Sequence, residues 1–168
     1  NERALIEFQR ENGIINLDDR QTVLSSTLSD YTAAANRTEQ ERSRAEALYE
    51  LIRTNPESAP QVLESKTVQA LKEQRAKMQA EYVDQLRIYK PGFPKMQQLK
   101  AQIDEVVRSI KVEIDAVRKS VETAYQGLLG QQKSINARLE QTKKDVLDLQ
   151  GRSIRYNILK RDVDTDRA

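Results

Sequence analysis

All four prolines of this chain fall in two short clusters, Asn55-Pro56-Glu57-Ser58-Ala59-Pro60 and Tyr89-Lys90-Pro91-Gly92-Phe93-Pro94. A proline inside a helix removes a backbone donor and clashes with the preceding turn, at ~3 kcal/mol or more. The chain must therefore stop, turn or kink at both clusters. Elsewhere it carries hardly a breaker. Its 168 residues include only 5 glycines, where an average usage of about 7% would give roughly twelve. Ala, Glu, Gln, Lys, Arg and Leu dominate the remainder, a helix-former mixture.

Apolar spacing fills in the segments between the breaks. Residues 1 to about 11 read as the last turns of a helix, with Leu5 and Phe8 on one face. Gly13 suits the left-handed residue that ends it. Ile14 and Ile15 follow as an apolar contact, and Asn16 caps the next helix, with Asp18 and Asp19 at its positive end. That second helix spans about 17–54. Its seam is Leu17, Gln21, Leu24, Leu28, Tyr31, Ala35, Thr38, Arg42, Ala45, Tyr49 and Ile52, in steps of four and three, the coiled-coil signature. After a short turn at 61–64, Ser65 caps a third helix, about 66–89. Its seam is Val68, Leu71, Arg75, Met78, Tyr82, Gln85 and Tyr89. Pro94 suits the first position of a fourth helix, about 94–164. That seam runs Met96, Leu99, Ile103, Val106, Ile110, Ile114, Val117, Val121, Ala124 and Leu128, then through Gln131, Ile135, Leu139, Thr142, Val146, Leu149 and Tyr156. The two steps of four from Val106 to Ile114 form a stutter. Gly127 and Gly130 mark a place where this helix could bend.

The expected fold is all-α: an elongated antiparallel coiled-coil hairpin with a break at 90–93. The hairpin tip is expected at about 55–64, offering Asn55, Pro56, Glu57 and Pro60 to a partner. The second cluster, with Tyr89, Pro91, Gly92, Phe93 and Pro94, is expected to be a joint that re-aims one arm. Residues 1–168 read as a single elongated fragment of a larger protein, because both ends fall within helical patterns.

Composition excludes several function classes. The chain has no His and no Cys, so the commonest general base and the soft-metal ligands are missing. No catalytic residue, cofactor site or metal site is expected. The 28 basic and 26 acidic residues leave a net charge of +2, with the signs interspersed. No basic run tracks phosphates, so nucleic acid is not expected as a partner. No stretch approaches the 18 apolar residues of a membrane span. Gly127-Leu128-Leu129-Gly130-Gln131-Gln132-Lys133-Ser134 lacks the adjacent Gly-Lys and preceding strand of a phosphate loop. The tyrosines of the seams are expected to bury their rings and keep their hydroxyls wet. Asp104–Arg108, Asp115–Lys119 and Glu140–Lys144 are spaced for helix-surface ion pairs.

An ordered set of segments carries a family resemblance. Val68-Gln69-Ala70-Leu71, then Tyr89-Lys90-Pro91-Gly92-Phe93-Pro94-Lys95-Met96, then Leu99 and Ile103, resembles the periplasmic coiled-coil segment of polysaccharide co-polymerases, the chain-length determinants of exopolysaccharide export. Ala4 to Gly13 and Tyr156 to Ala168 are similar to the family's flanking helices. Phe93 stands where many members carry His. The resemblance implies a periplasmic segment of an inner-membrane-anchored parent, with two membrane helices and often a cytoplasmic tyrosine kinase domain outside this chain. It further implies a homo-oligomer that works with a polymerase and an outer-membrane polysaccharide export channel, touching membrane only through flanking segments. The alternative is the hairpin of a membrane-fusion adaptor of a secretion or efflux system.

Overall fold

In the computed structural model, which describes residues 1–13 and 17–167, the chain is all-α, with no strand among the described residues. Helix α1 spans Glu2–Asn12, α2 Leu17–Thr54, α3 Pro60–Leu63, α4 Lys66–Gln85 and α5 Pro94–Arg167, with a 3₁₀ turn at Pro56–Ser58. Gly13 closes α1 in the left-handed conformation, at φ 60°, and its amide donates to the Gln9 carbonyl. A side chain there would meet the steric penalty that makes glycine the usual residue at this cap. The contact expected from Ile14 and Ile15 and the cap expected from Asn16 lie outside the described residues. Helix α5 continues through Gly127, Gly130 and Gly151 without interruption.

The chain divides into two units, Asn1–Glu41 with Leu129–Ala168, and Arg42–Leu128. In the first, α1 lies antiparallel to the end of α5. Asn1 Nδ2 donates to Asp166 Oδ2 at 2.7 Å, and Gln9 Nε2 donates to the Tyr156 hydroxyl at 3.3 Å. The Arg167 guanidinium meets the Glu2 carboxylate, and Arg155 stands 5.5 Å from the centroid of the Phe8 ring. Leu149, Val163, Thr38 and Thr142 are buried here. Thr142 satisfies its hydroxyl by donating to the Arg138 carbonyl at 2.9 Å, as a buried hydroxyl must.

The second unit holds the larger core. Ile52, Ala59, Val62 and Val68 are fully buried and cluster with Val106, Ile110 and Ile114. Leu71, Met78, Val117 and Val121 pack around them. Full burial of side chains such as Ile52 and Val62 stabilises by about 1.5–3 kcal/mol each.

The core corrects the placement of the tip. Along α2, the 3₁₀ turn and α4, residue numbers rise while their partners on α5 fall. Tyr49 stacks on Tyr125. Further on, Pro56, Glu57 and Arg75 line one groove with Val107, Ile110 and Arg118. The end of α2 and the whole of α4 therefore lie in one arm, and α5 is the returning arm. The chain reverses at 86–93, between α4 and α5. Residues 55–64, expected as the tip, are a joint within an arm, and the second proline cluster, expected as a joint, is the reversal. The physical reason is burial. Ala59 and Val62 carry the joint's apolar surface onto α5, whereas a tip at 55–64 would leave both in water.

The seam of α5 also departs from the expected steps. Tyr125 is half-buried and Ala124 exposed; Gln132 is half-buried and Gln131 exposed. Buried and half-buried positions run Ile110, Ile114, Val117, Val121, Tyr125 and Leu128. Eleven-residue spacing of this kind drifts in the opposite sense to heptads and so relaxes a left-handed supercoil. In α2, Gln21 is likewise exposed.

Candidate interaction surfaces

The joint is closed by its own backbone. The Asn55 amide donates to the Leu51 carbonyl at 2.8 Å, Ser58 to Asn55 at 3.1 Å and Ala59 to Pro56 at 3.2 Å. Glu64 then donates to Pro60 at 2.9 Å, and Ser65 to Val62 at 3.2 Å. Ser65 Oγ accepts from the Val68 amide at 3.3 Å and caps α4. Asn55 Nδ2 donates to Ser58 Oγ at 2.7 Å. Lys72 Nζ reaches back from α4 to Glu57 Oε2 at 2.8 Å. The hydrogen bond and charge of Lys72 hold the Glu57 carboxyl below its usual range. Asn55, Pro56, Glu57 and Pro60 are thus occupied in linking two helices.

The reversal is a different kind of object. Helix α4 stops at Gln85, and the amides of Leu86, Ile88 and Tyr89 turn back to the carbonyls of Tyr82 and Gln85 at 2.9–3.0 Å. Lys90-Pro91-Gly92-Phe93 then makes a tight turn, with the Phe93 amide donating to the Lys90 carbonyl at 3.0 Å. Pro91 occupies the second position, where its fixed φ is pre-set for such a turn. Gly92 does not take a positive φ, so its lack of a side chain is not required by the backbone. The Phe93 carbonyl accepts from Met96 and Gln97 and starts α5 behind Pro94. The Tyr89 and Phe93 rings stack at 4.8 Å and 14°, and Lys95 Nζ stands 5.4 Å from the Tyr89 ring centroid.

Below the turn, Met96, Leu99 and Ile103 are buried. Above it the surface is apolar but wet. Ile88 is 75% exposed, Val83 61%, Phe93 47% and Leu86 38%. Three cations, Arg87, Lys90 and Lys95, are interleaved with them, against one anion, Asp84. Seam periodicity passes over Val83, Leu86 and Ile88, because they fall between Tyr82, Gln85 and Tyr89. Their signal in the sequence is being apolar, off the seam and next to a proline cluster.

The other seam residues lie on the inner faces of their helices. Leu24, Leu28, Tyr31, Tyr49, Leu71, Met78 and Tyr82 are half-buried, while Ile52, Val68, Leu99, Ile103, Val106 and Ile110 are buried. Arg42 is the polar exception. Its Nη1 pairs with Glu46, but its Nε is buried with no hydrogen-bond partner. The helix-surface pairs are one residue shorter than expected: Glu105–Arg108, Asp115–Arg118 and Glu140–Lys143. In the first unit an open groove is lined by Asp19, Arg20, Leu24, Asp145, Leu149 and Arg152. Among the described residues no group of acidic side chains is arranged to hold a metal ion, and no helix is long and apolar enough to cross a membrane.

Compared with known proteins, the chain matches no family model, no curated protein and no solved structure.

Proposed function

We propose that this chain is a structural and interaction module, the periplasmic coiled-coil hairpin of an exopolysaccharide co-polymerase that scaffolds chain-length control and export. The observation that carries the reading is the meeting of residues 1 and 2 with residues 166 and 167. Helix ends held together in this way can be carried on a host body at one place. The ordered resemblance of Val68–Leu71, Tyr89–Met96, Leu99 and Ile103 to co-polymerase segments supplies the choice of host. In this reading the parent is anchored in the inner membrane and assembles with copies of itself. It then works with an outer-membrane export channel and a polymerase.

The reversal at 86–93 equally suits the hairpin of a membrane-fusion adaptor, which also presents a tip. The two hosts differ outside the chain: membrane helices flank a co-polymerase hairpin, and a lipoyl-like β-domain flanks an adaptor hairpin. The test is deletion of residues 17–164 from the parent. A changed polysaccharide length distribution with normal efflux and secretion is expected. Unchanged polysaccharide with lost efflux or secretion would overturn the co-polymerase reading in favour of the adaptor.

A further inference from the structure

The end of the α4–α5 hairpin combines two properties that one kind of surface would satisfy together. Ile88 is the most exposed large apolar side chain described, at 75%, and Leu86, Val83 and Phe93, close by in the chain, are exposed as well. Apolar groups gathered at an extremity mark an interaction site more often than scattered ones do. The charges around them are chiefly of one sign. Asp84 is engaged by Arg87 at 3.8 Å, and neither Lys90 nor Lys95 is in an ion pair among the described residues. Lys95 stands beside the Tyr89 ring, so the stacked aromatic pair adjoins a free cation. A protruding turn can meet a flat partner, and here it would insert apolar side chains while two lysines remain for phosphate.

We propose that the tip formed by Val83, Leu86, Ile88, Tyr89, Phe93, Lys90 and Lys95 docks on an anionic lipid surface. The inference goes beyond the function proposed above, departs from the expectation that only flanking segments touch membrane, and holds for either host. The apolar side chains enter the headgroup boundary, and the lysines pair with lipid phosphates. Each cation near an anionic surface favours binding by about fivefold, so two give a preference for anionic over neutral lipid of roughly 25-fold. Salt weakens the preference, because these charges stand in water.

The chain has no Trp, so Ile88→Trp introduces a single reporter at the tip. With vesicles of phosphatidylcholine and phosphatidylglycerol, its emission is expected to shift to the blue and the wild-type chain to float with the lipid. With phosphatidylcholine alone, both effects fall by roughly 25-fold in lipid affinity. Ile88→Asp removes flotation and leaves the melting temperature unchanged, because the side chain is already in water. Lys90→Gln with Lys95→Gln abolishes the anionic preference. An unshifted Ile88→Trp spectrum on anionic vesicles overturns the proposal, as does equal binding to both lipids. Crosslinking of residue 88 to a protein in cells, with no vesicle binding, overturns it in favour of a protein partner. None of these results bears on the deletion test above, so the two proposals fail separately.

Discussion

The ring of Tyr49 lies against that of Tyr125, with centroids 5.3 Å apart and planes 18° from parallel. The pair ties the end of α2 to α5 just before the joint, and so fixes which turn of α5 the joint meets. Stacked aromatic pairs contribute about 0.5–1.5 kcal/mol beyond their buried area. A double-mutant cycle with Tyr49→Ala and Tyr125→Ala should therefore return a coupling of about 1 kcal/mol in urea unfolding. A coupling near zero would mean the rings do not set the register.

Ile52→Ala should cost about 2–4 kcal/mol, because the side chain is fully buried at the centre of the second unit and truncation leaves a cavity. Leu51→Ala, one residue earlier and exposed, should cost well under 1 kcal/mol. Equal losses in denaturant midpoint would contradict the seam.

Arg42 sits in the seam with its Nε buried and unpaired. Leaving such a donor unsatisfied costs about 1–3 kcal/mol. Arg42→Leu is expected to raise the melting temperature, even though it deletes the pair with Glu46. A lower melting temperature would show that the charge is satisfied in solution.

The two non-equivalent glycines give a paired test. Gly13→Ala puts a side chain at φ 60° and should destabilise by about 1–2 kcal/mol. Gly92→Ala meets nothing within 4 Å and needs no positive φ. It should be neutral or stabilising by up to about 1 kcal/mol, through the unfolded chain. Thermal melts of the two variants should move in opposite directions or differ clearly in size.

Glu57 links the joint to α4 through Lys72, and its pKa lies below the usual value. A depressed carboxyl pKa means stability that is present above the unfolded-state pKa, about 4.3, and lost as pH falls through the folded value. The Glu57 side chain is largely exposed, so only a few tenths of a kcal/mol are at stake. Glu57→Gln should lower stability slightly at pH 7, and the difference from wild type should vanish below the folded pKa. A difference that persists in strong acid would assign the loss to packing instead.

Much of the helical content could be read from spacing, since the steps of three and four through Leu24, Tyr31, Ile52, Val68 and Val106 name side chains that turn inward. Which proline cluster reverses the chain could not be read that way. Both clusters break a helix, and propensity does not distinguish a break that continues an arm from one that reverses it. The deciding term is tertiary: Ala59 and Val62 find a surface on α5 only if the joint continues the arm. The tip surface escaped the seam pattern for a related reason. Ile88 and Leu86 have no inward partner, and periodicity ranks side chains by the partners they ought to have.

The joint also governs how this protein can change its length. Adding or deleting one residue inside a helix turns everything beyond it by about 100°, and would swing an apolar seam out of contact. On α5 no break interrupts that rotation, so a single-residue insertion is inherited by every later turn. On the facing side the helix is already interrupted between Thr54 and Lys66, so a change of length there is not carried along one continuous helix from α2 into α4. Related chains of different length should therefore differ at 55–65 on the broken arm. On the unbroken one they should change only by amounts that restore phase, such as seven or eleven residues.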